Sequence, residues 1–188
     1  MIQIDNLVQW QLYDSEVDAV FPWFTHPFLE WLKQQDFSDK RVLEFGGGRS
    51  TRWWRKRARW VTTIDANIEW SHKIVEDCIG LDNGVLISNQ INEGDQSRAQ
   101  EYINQGDEYG PYDVVVNDGI LRYEVLQKAL SMKRPLLLIA DNWHQAFVWM
   151  SPPSEELMKG EKINIFEQED HTDNDGVNKW KTVYWELK

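Results

Sequence analysis

The sequence holds one cysteine, Cys78, among its 188 residues, which excludes an intrachain disulfide framework. No stretch approaches the roughly 18 consecutive apolar residues of a membrane-spanning helix. Bases are scarce, 20 Lys and Arg against 31 Asp and Glu, for a formal net charge of −11. That balance argues against a general binder of nucleic acid or anionic membranes. The one basic cluster runs from Arg49 to Arg59 and reads as a solvated helix face. The first residues lack the basic-then-apolar layout of a secretory signal. A soluble, cytoplasmic protein is therefore expected. Internal repeats, linkers and low-complexity segments are also missing. Tryptophan, by contrast, is plentiful at eleven residues, most of them expected in the core or in groove walls.

The length suits a single α/β domain with a real core, spanning 1–188. Residues 1–37 are read as an N-terminal lid and helix segment, and 38–188 as the sheet-forming core. Residues 1–20 are weakly patterned and expected as loop or loose helix. Phe21-Pro-Trp-Phe-Thr-His-Pro-Phe28 is aromatic, and Thr25 or His26 is placed to cap a helix running to Gln35. Short apolar strands are expected over Arg41–Glu44, Trp60–Asp65, Gly84–Ser88, Tyr112–Asp118 and Pro135–Asp141. Helical patterns separate them. In one of these, Trp70, Ile74, Val75, Cys78 and Ile79 form a single stripe expected to be buried. Two further strands, Lys162–Glu167 and Lys179–Leu187, are joined without a helix and so should pair antiparallel. The fold expected is α/β. Seven strands form an open, mostly parallel sheet with an antiparallel C-terminal strand and helices on both faces.

The chain is organised around Val42-Leu-Glu-Phe-Gly-Gly-Gly-Arg-Ser-Thr51. A buried strand breaks into three glycines, and Ser50 and Thr51 then open a helix. This layout brings backbone N–H groups close to a ligand. Glu44, at the carboxyl end of the strand, is expected to face the crevice, where it would repel phosphate and welcome a cation. A dinucleotide fingerprint would want a small residue at the sixth position, where Thr51 stands. Asp65, about 20 residues on, can accept both hydroxyls of a ribose.

The pattern Val42-Leu43-Glu44-x-Gly46-x-Gly48 resembles the first motif of class I S-adenosylmethionine (SAM) methyltransferases. Further segments look like a bacterial group of small members of that family: Pro27–Leu32, Val61–Asp65, Tyr112–Gly119, Ile139–Asn142 and Trp180–Thr182. The resemblance implies a Rossmann-like sheet in the order 3-2-1-4-5-7-6. It places Glu44, Gly46, Gly47 and Gly48 around the methionine part of SAM, Asp65 on the ribose and Asp118 near the amine. The adenine pocket would come from residues 89–92. Candidate bases are Asp118, Asp141 and His144, with His26 able to approach from the N-terminal segment. Ala140-Asp141-Asn142 is similar to the Asp-Asn pair with which catechol O-methyltransferase and its relatives hold Mg²⁺ beside an Asp matched by Asp118. Asp118, Asp141 and Asn142 are thus a possible Mg²⁺ set; the other reading is a SAM contact and an Asx turn. The lysine base of that family is absent, since Gly119, Ile120 and Leu121 follow Asp118.

The expected function is SAM-dependent methyl transfer to a small-molecule or sugar-like acceptor, at oxygen. Two alternatives remain: a non-catalytic binding or assembly module on the same fold, and an NAD-dependent oxidoreductase.

Overall fold

The structure is a computed structural model that describes residues 13–91, 98–133, 136–144, 154–169 and 179–188. Within the first 20 residues, expected as loop or loose helix, two short strands pair antiparallel: β1 (Tyr13–Asp14) and β2 (Ala19–Val20). Asp14 explains this. It is buried, and its Oδ2 accepts from Trp53 Nε1 at 2.9 Å and from Arg57 Nη2 at 2.7 Å. Burial alone would raise its carboxyl; the bonds from Trp53 and Arg57 outweigh it and hold the group below its usual range.

Helix α1 (His26–Leu32) follows, with Thr25 at its N-cap. Then come β3 (Arg41–Phe45), α2 (Arg49–Arg57), β4 (Trp60–Asp65), α3 (Ile68–Asp77) and β5 (Gly84–Ser88). The second half holds α4 (Ala99–Asn104), a 3-10 turn at Asp107–Tyr109, β6 (Val114–Asn117), α5 (Arg122–Ser131) and β7 (Leu136–Ala140). It ends with α6 (Ser154–Leu157), β8 (Ile163–Glu169) and β9 (Lys179–Leu187).

Seven strands form one sheet in the order β5-β4-β3-β6-β7-β9-β8. With β1 and β2 set aside, this is the expected order. Strands β3 to β7 are parallel, and β9 runs antiparallel to both β7 and β8. The central strands are apolar because both faces are covered. Leu43, Phe45, Ile64 and Val115 pack toward α4 and α5 through Tyr102, Val125 and Leu126. Val42, Val61, Val114 and Ile139 pack on the other face against Trp53, Trp54 and Phe28 from α2 and α1. Successive residues of a strand point to opposite faces, so β3 sends Val42 and Glu44 toward α2.

The expected stripe on α3 splits. Ile74 is 2% exposed and Cys78 is buried, whereas Trp70 and Val75 are exposed and Ile79 is 76% exposed. Helix α3 lies over β5, the edge strand, none of whose residues is fully covered. A helix at a sheet margin has only a narrow line of contact. Replacing Ile74 by Ala should cost about 2–5 kcal/mol of unfolding free energy. Replacing Ile79 by Ala should change it by no more than about 0.5 kcal/mol. Urea titration of both variants checks this, and equal losses would overturn the packing.

Candidate functional site

A cavity of about 820 Å³ opens at the carboxyl ends of β3, β4 and β6, within the roughly 300–1,000 Å³ of small-molecule sites. Here the chain order reverses, since β3 lies between β4 and β6. Such switch points leave a crevice beyond the strand ends. Its floor is the glycine turn. Gly46 has φ +83°, and a Cβ there would stand 2.6 Å from the carbonyl carbon of Asp118. A Cβ on Gly47 would meet Thr63 Cγ2 at 2.6 Å, and one on Gly119 would meet the Gly46 nitrogen at 2.8 Å. The ends of β3 and β6 therefore approach with no side chain between them. Gly48 caps α2, and its N–H donates to Thr51 Oγ1 at 3.1 Å. The amides of Arg49 and Ser50 lie in the first turn, where no intrahelical acceptor exists.

Glu44 does not face this cavity. It is fully buried beneath the turn, on the α2 side of the sheet. Three hydroxyls donate to it: Ser50 Oγ at 2.6 Å, Thr51 Oγ1 at 2.7 Å and Thr63 Oγ1 at 2.9 Å. Thr63 is its register partner on β4. Burial pushes the Glu44 carboxyl up to about 7, and the three hydroxyl donors offset this only in part. It is linked to the cavity only through Ser50, which does line it.

Asp65 reaches the cavity. Its Oδ2 accepts from the Gly47 amide at 2.9 Å and its Oδ1 from the Asn67 amide at 2.8 Å. Burial raises its carboxyl above the usual value, against these two amide donors. Each oxygen keeps a lone pair for a hydroxyl. Nearby walls come from Ala66, Trp70, Gln90 and Ile91. Of the loop expected to line this end, Gln90 and Ile91 do so. Asn89 turns to Glu101 instead, at 3.4 Å, and Asn92 lies outside the described residues. Sequence periodicity places Trp70 on the apolar stripe of α3. It instead donates its indole N–H to Gly47 O at 2.8 Å and stands over the turn.

Of the proposed bases, Asp118 lines the cavity and Asp141 and His144 do not. Asp141 is buried and accepts from Thr182 Oγ1 at 2.6 Å, while Thr182 Oγ1 accepts from the Thr25 amide at 2.9 Å. His144 Nδ1 accepts from the Lys181 amide at 3.0 Å, and its ring stacks on Trp180. His26 is the first residue of α1, its amide bonded to Gln168 Oε1 at 2.7 Å. Burial lowers the pKa of its imidazole, against the pull of Glu30.

The possible Mg²⁺ set holds a cation of the protein's own. Arg122 is buried in the first turn of α5. Its Nη2 donates to Asp118 Oδ1 at 3.1 Å and to Asn142 Oδ1 at 3.2 Å, and its Nη1 to the Asp141 carbonyl at 2.5 Å. Leu121, at φ +53°, turns the chain so that α5 begins there. Among the described residues no group of three His, Cys, Asp or Glu is placed to hold a metal ion. Burial raises both Asp118 and Asp141, and Arg122 opposes the rise. Arg122 escaped sequence analysis; its one signal was the four-residue spacing from Asp118.

The aromatic segment divides. Val20, Phe21 and Trp23 roof the cavity, whereas Phe24 and Phe28 turn into the core.

The Glu44 carboxyl titrates from its ordinary 4.5 to about 7 on folding, so the native state binds this proton more tightly than the unfolded chain. The cost of burying the charge is absent below the unfolded value and grows as pH rises through the folded one. Replacing Glu44 by Gln should let the variant gain on the parent between about pH 5 and pH 8, by up to about 3 kcal/mol. Urea unfolding at both pH values checks this, and a pH-independent difference would refute it.

No family model matches the sequence, and no curated protein matches it significantly. Solved structures do match in shape. A precorrin 8w decarboxylase from Methanobacterium thermoautotrophicum superposes with a TM-score of 0.62 at 18% identity, over 93% of this chain and 98% of that one. A proposed methyltransferase from Streptococcus mutans, in complex with S-adenosylhomocysteine (SAH), gives 0.59 at 12% identity, over 87% and 99%. An rRNA methylase from Streptococcus thermophilus gives 0.55 at 13% identity, over 87% and 96%. The chain has the Rossmann-like fold of the class I SAM-dependent methyltransferases.

Proposed function

We propose that the protein transfers a methyl group from SAM to an oxygen of a small-molecule acceptor. The observation that carries this reading is the side-chain-free cradle at Gly46, Gly47 and Gly119, set between the carboxylates of Asp65 and Asp118. A cofactor with one cationic amine, a sulfonium and a ribose suits such a floor. SAM supplies an electrophilic methyl group when bound. Gly46, Gly47 and Gly48 would hold its methionine part, Asp65 the ribose hydroxyls and Asp118 the ammonium. Ala66 and Ile91 offer apolar cover for the adenine.

Displacement at a sulfonium depends first on positioning. Of the candidate bases Asp118 alone lines the cavity, and its pairing with Arg122 and with the SAM ammonium would favour positioning over proton transfer. Arg122 fixes that carboxylate, and Asp141 and His144 fix the strands and rings around it. Among the described residues of the N-terminal segment, Val20, Phe21 and Trp23 serve as the cover. Acidity supports a small acceptor: the chain carries −11, and Arg49 is the one basic residue among the described cavity-lining residues.

The binding-module reading needs a blocked crevice and a broad aromatic surface. Here the crevice is open, and Trp53, Trp54 and Trp185 are fully buried. For the NAD reading, Thr51 occupies the position of the third glycine, is buried and is bonded to Glu44.

Calorimetric titration with SAH should give saturable heat, and NAD none. Asp65→Ala should weaken SAH at least about tenfold, the loss of a charged hydrogen-bond acceptor, measured at a temperature where circular dichroism shows the variant folded. No heat from the folded parent protein, or saturation by NAD, would end the proposal.

A further inference from the structure

The cavity has an aromatic side that the cofactor assignment does not use. Asp65, Gln90 and Ile91 mark the half over β4 and β5. Trp23 belongs to another part of the lining, the part joined to β9 through Trp180. This side chain lines the cavity yet is 52% exposed. Its ring lies 5.8 Å from that of Trp180, and Trp180 in turn lies 6.0 Å from His144 at an interplanar angle of 18°. Three rings thus run in a row from the cavity mouth to the end of β7.

The row is held in place before any ligand arrives. On one side of Trp23, Asp14 fastens the β1–β2 hairpin to Trp53 and Arg57 of α2. On the other side, the amides of Thr25 and His26 are bonded to Thr182 and Gln168 on β9 and β8. The Lys181 amide fixes His144 behind Trp180. A large ring kept half exposed between two anchors is a preorganised stacking face. It is continuous with the cavity, and Ile120 and Phe21 extend its apolar surface.

We infer that Trp23, backed by Trp180 and His144, is the platform for a planar aromatic acceptor that carries no negative charge. This rests on the methyl-transfer reading and narrows its acceptor. A pyranose can lay its puckered C–H face on an indole, but it lacks the ring π-system that an aromatic acceptor brings to an offset stack. Asp118 and Asp65 at the wall, and the chain's −11, act against phosphorylated, sulfated or nucleic acid acceptors.

The test uses the full chain saturated with SAH and three probes: 2-naphthol, methyl β-D-glucoside and a single-stranded RNA heptamer. Calorimetry should show binding of 2-naphthol in preference to the other two. Trp23→Ala should weaken 2-naphthol about 5- to 10-fold, Trp23→Phe should retain most of the affinity, and SAH affinity should stay within about twofold in both variants. Equal 2-naphthol affinity in the parent protein and Trp23→Ala, or preferential binding of the glucoside or the RNA, would overturn the platform. If SAH fails to bind while 2-naphthol still depends on Trp23, the methyl-transfer reading falls and the platform stands. If SAH binds and 2-naphthol does not, the reverse holds.

Discussion

Everything at the cavity floor depends on one buried carboxylate. Glu44 collects hydroxyl donors from two elements, Thr63 on β4 and Ser50 and Thr51 on α2. The same Thr51 oxygen accepts from the Gly48 amide, so the carboxylate, the helix start and the glycine turn form one connected network. A charge withdrawn from water is tolerated only when its lone pairs are used. Three hydroxyls use them here and in doing so fix the turn. Above this network the Gly47 amide is directed at Asp65. The cavity-lining carboxylate is thereby placed by a carboxylate buried beneath it.

Much of the architecture was legible in the sequence. Apolar strands separated by helical patterns, followed by two strands with no helix between them, lead to an open, mostly parallel sheet with an antiparallel end; the strand order follows from the family resemblance, and the structure has both. The direction of Glu44 was not legible. Strand β3 is covered on both faces, so its residues show no alternation of apolar and polar character, and period two cannot say which side a carboxylate takes. The α3 stripe misled for the opposite reason. Its periodicity is real, but periodicity reports a helix face and not how much sheet lies beneath it; over β5, an edge strand, there is little.

The acidic cluster after β6 and β7 shows what spacing alone omits. The side chains of Asp118 and Asn142 meet the backbone carbonyl of Asp141, not its carboxylate. The charge at their centre comes from the chain, through the guanidinium of Arg122. Its planar array of donors reaches a side-chain carboxylate, a side-chain amide and a backbone carbonyl together, which suits arginine better than lysine. Meanwhile the Asp141 carboxylate is committed to Thr182 and, through it, to the chain entering α1. A residue chosen for chemistry thus belongs to the support of the roof.

That support bears on how molecules pass in and out. A cover hinged at one end swings aside, and its traffic is timed by that swing. The segment over this cavity is stapled at both ends, to α2 through Asp14 and to the β8–β9 hairpin through Thr25 and His26. A span tied at both ends cannot swing away as one flap: opening it wider means giving up the ties to α2 or those to the hairpin.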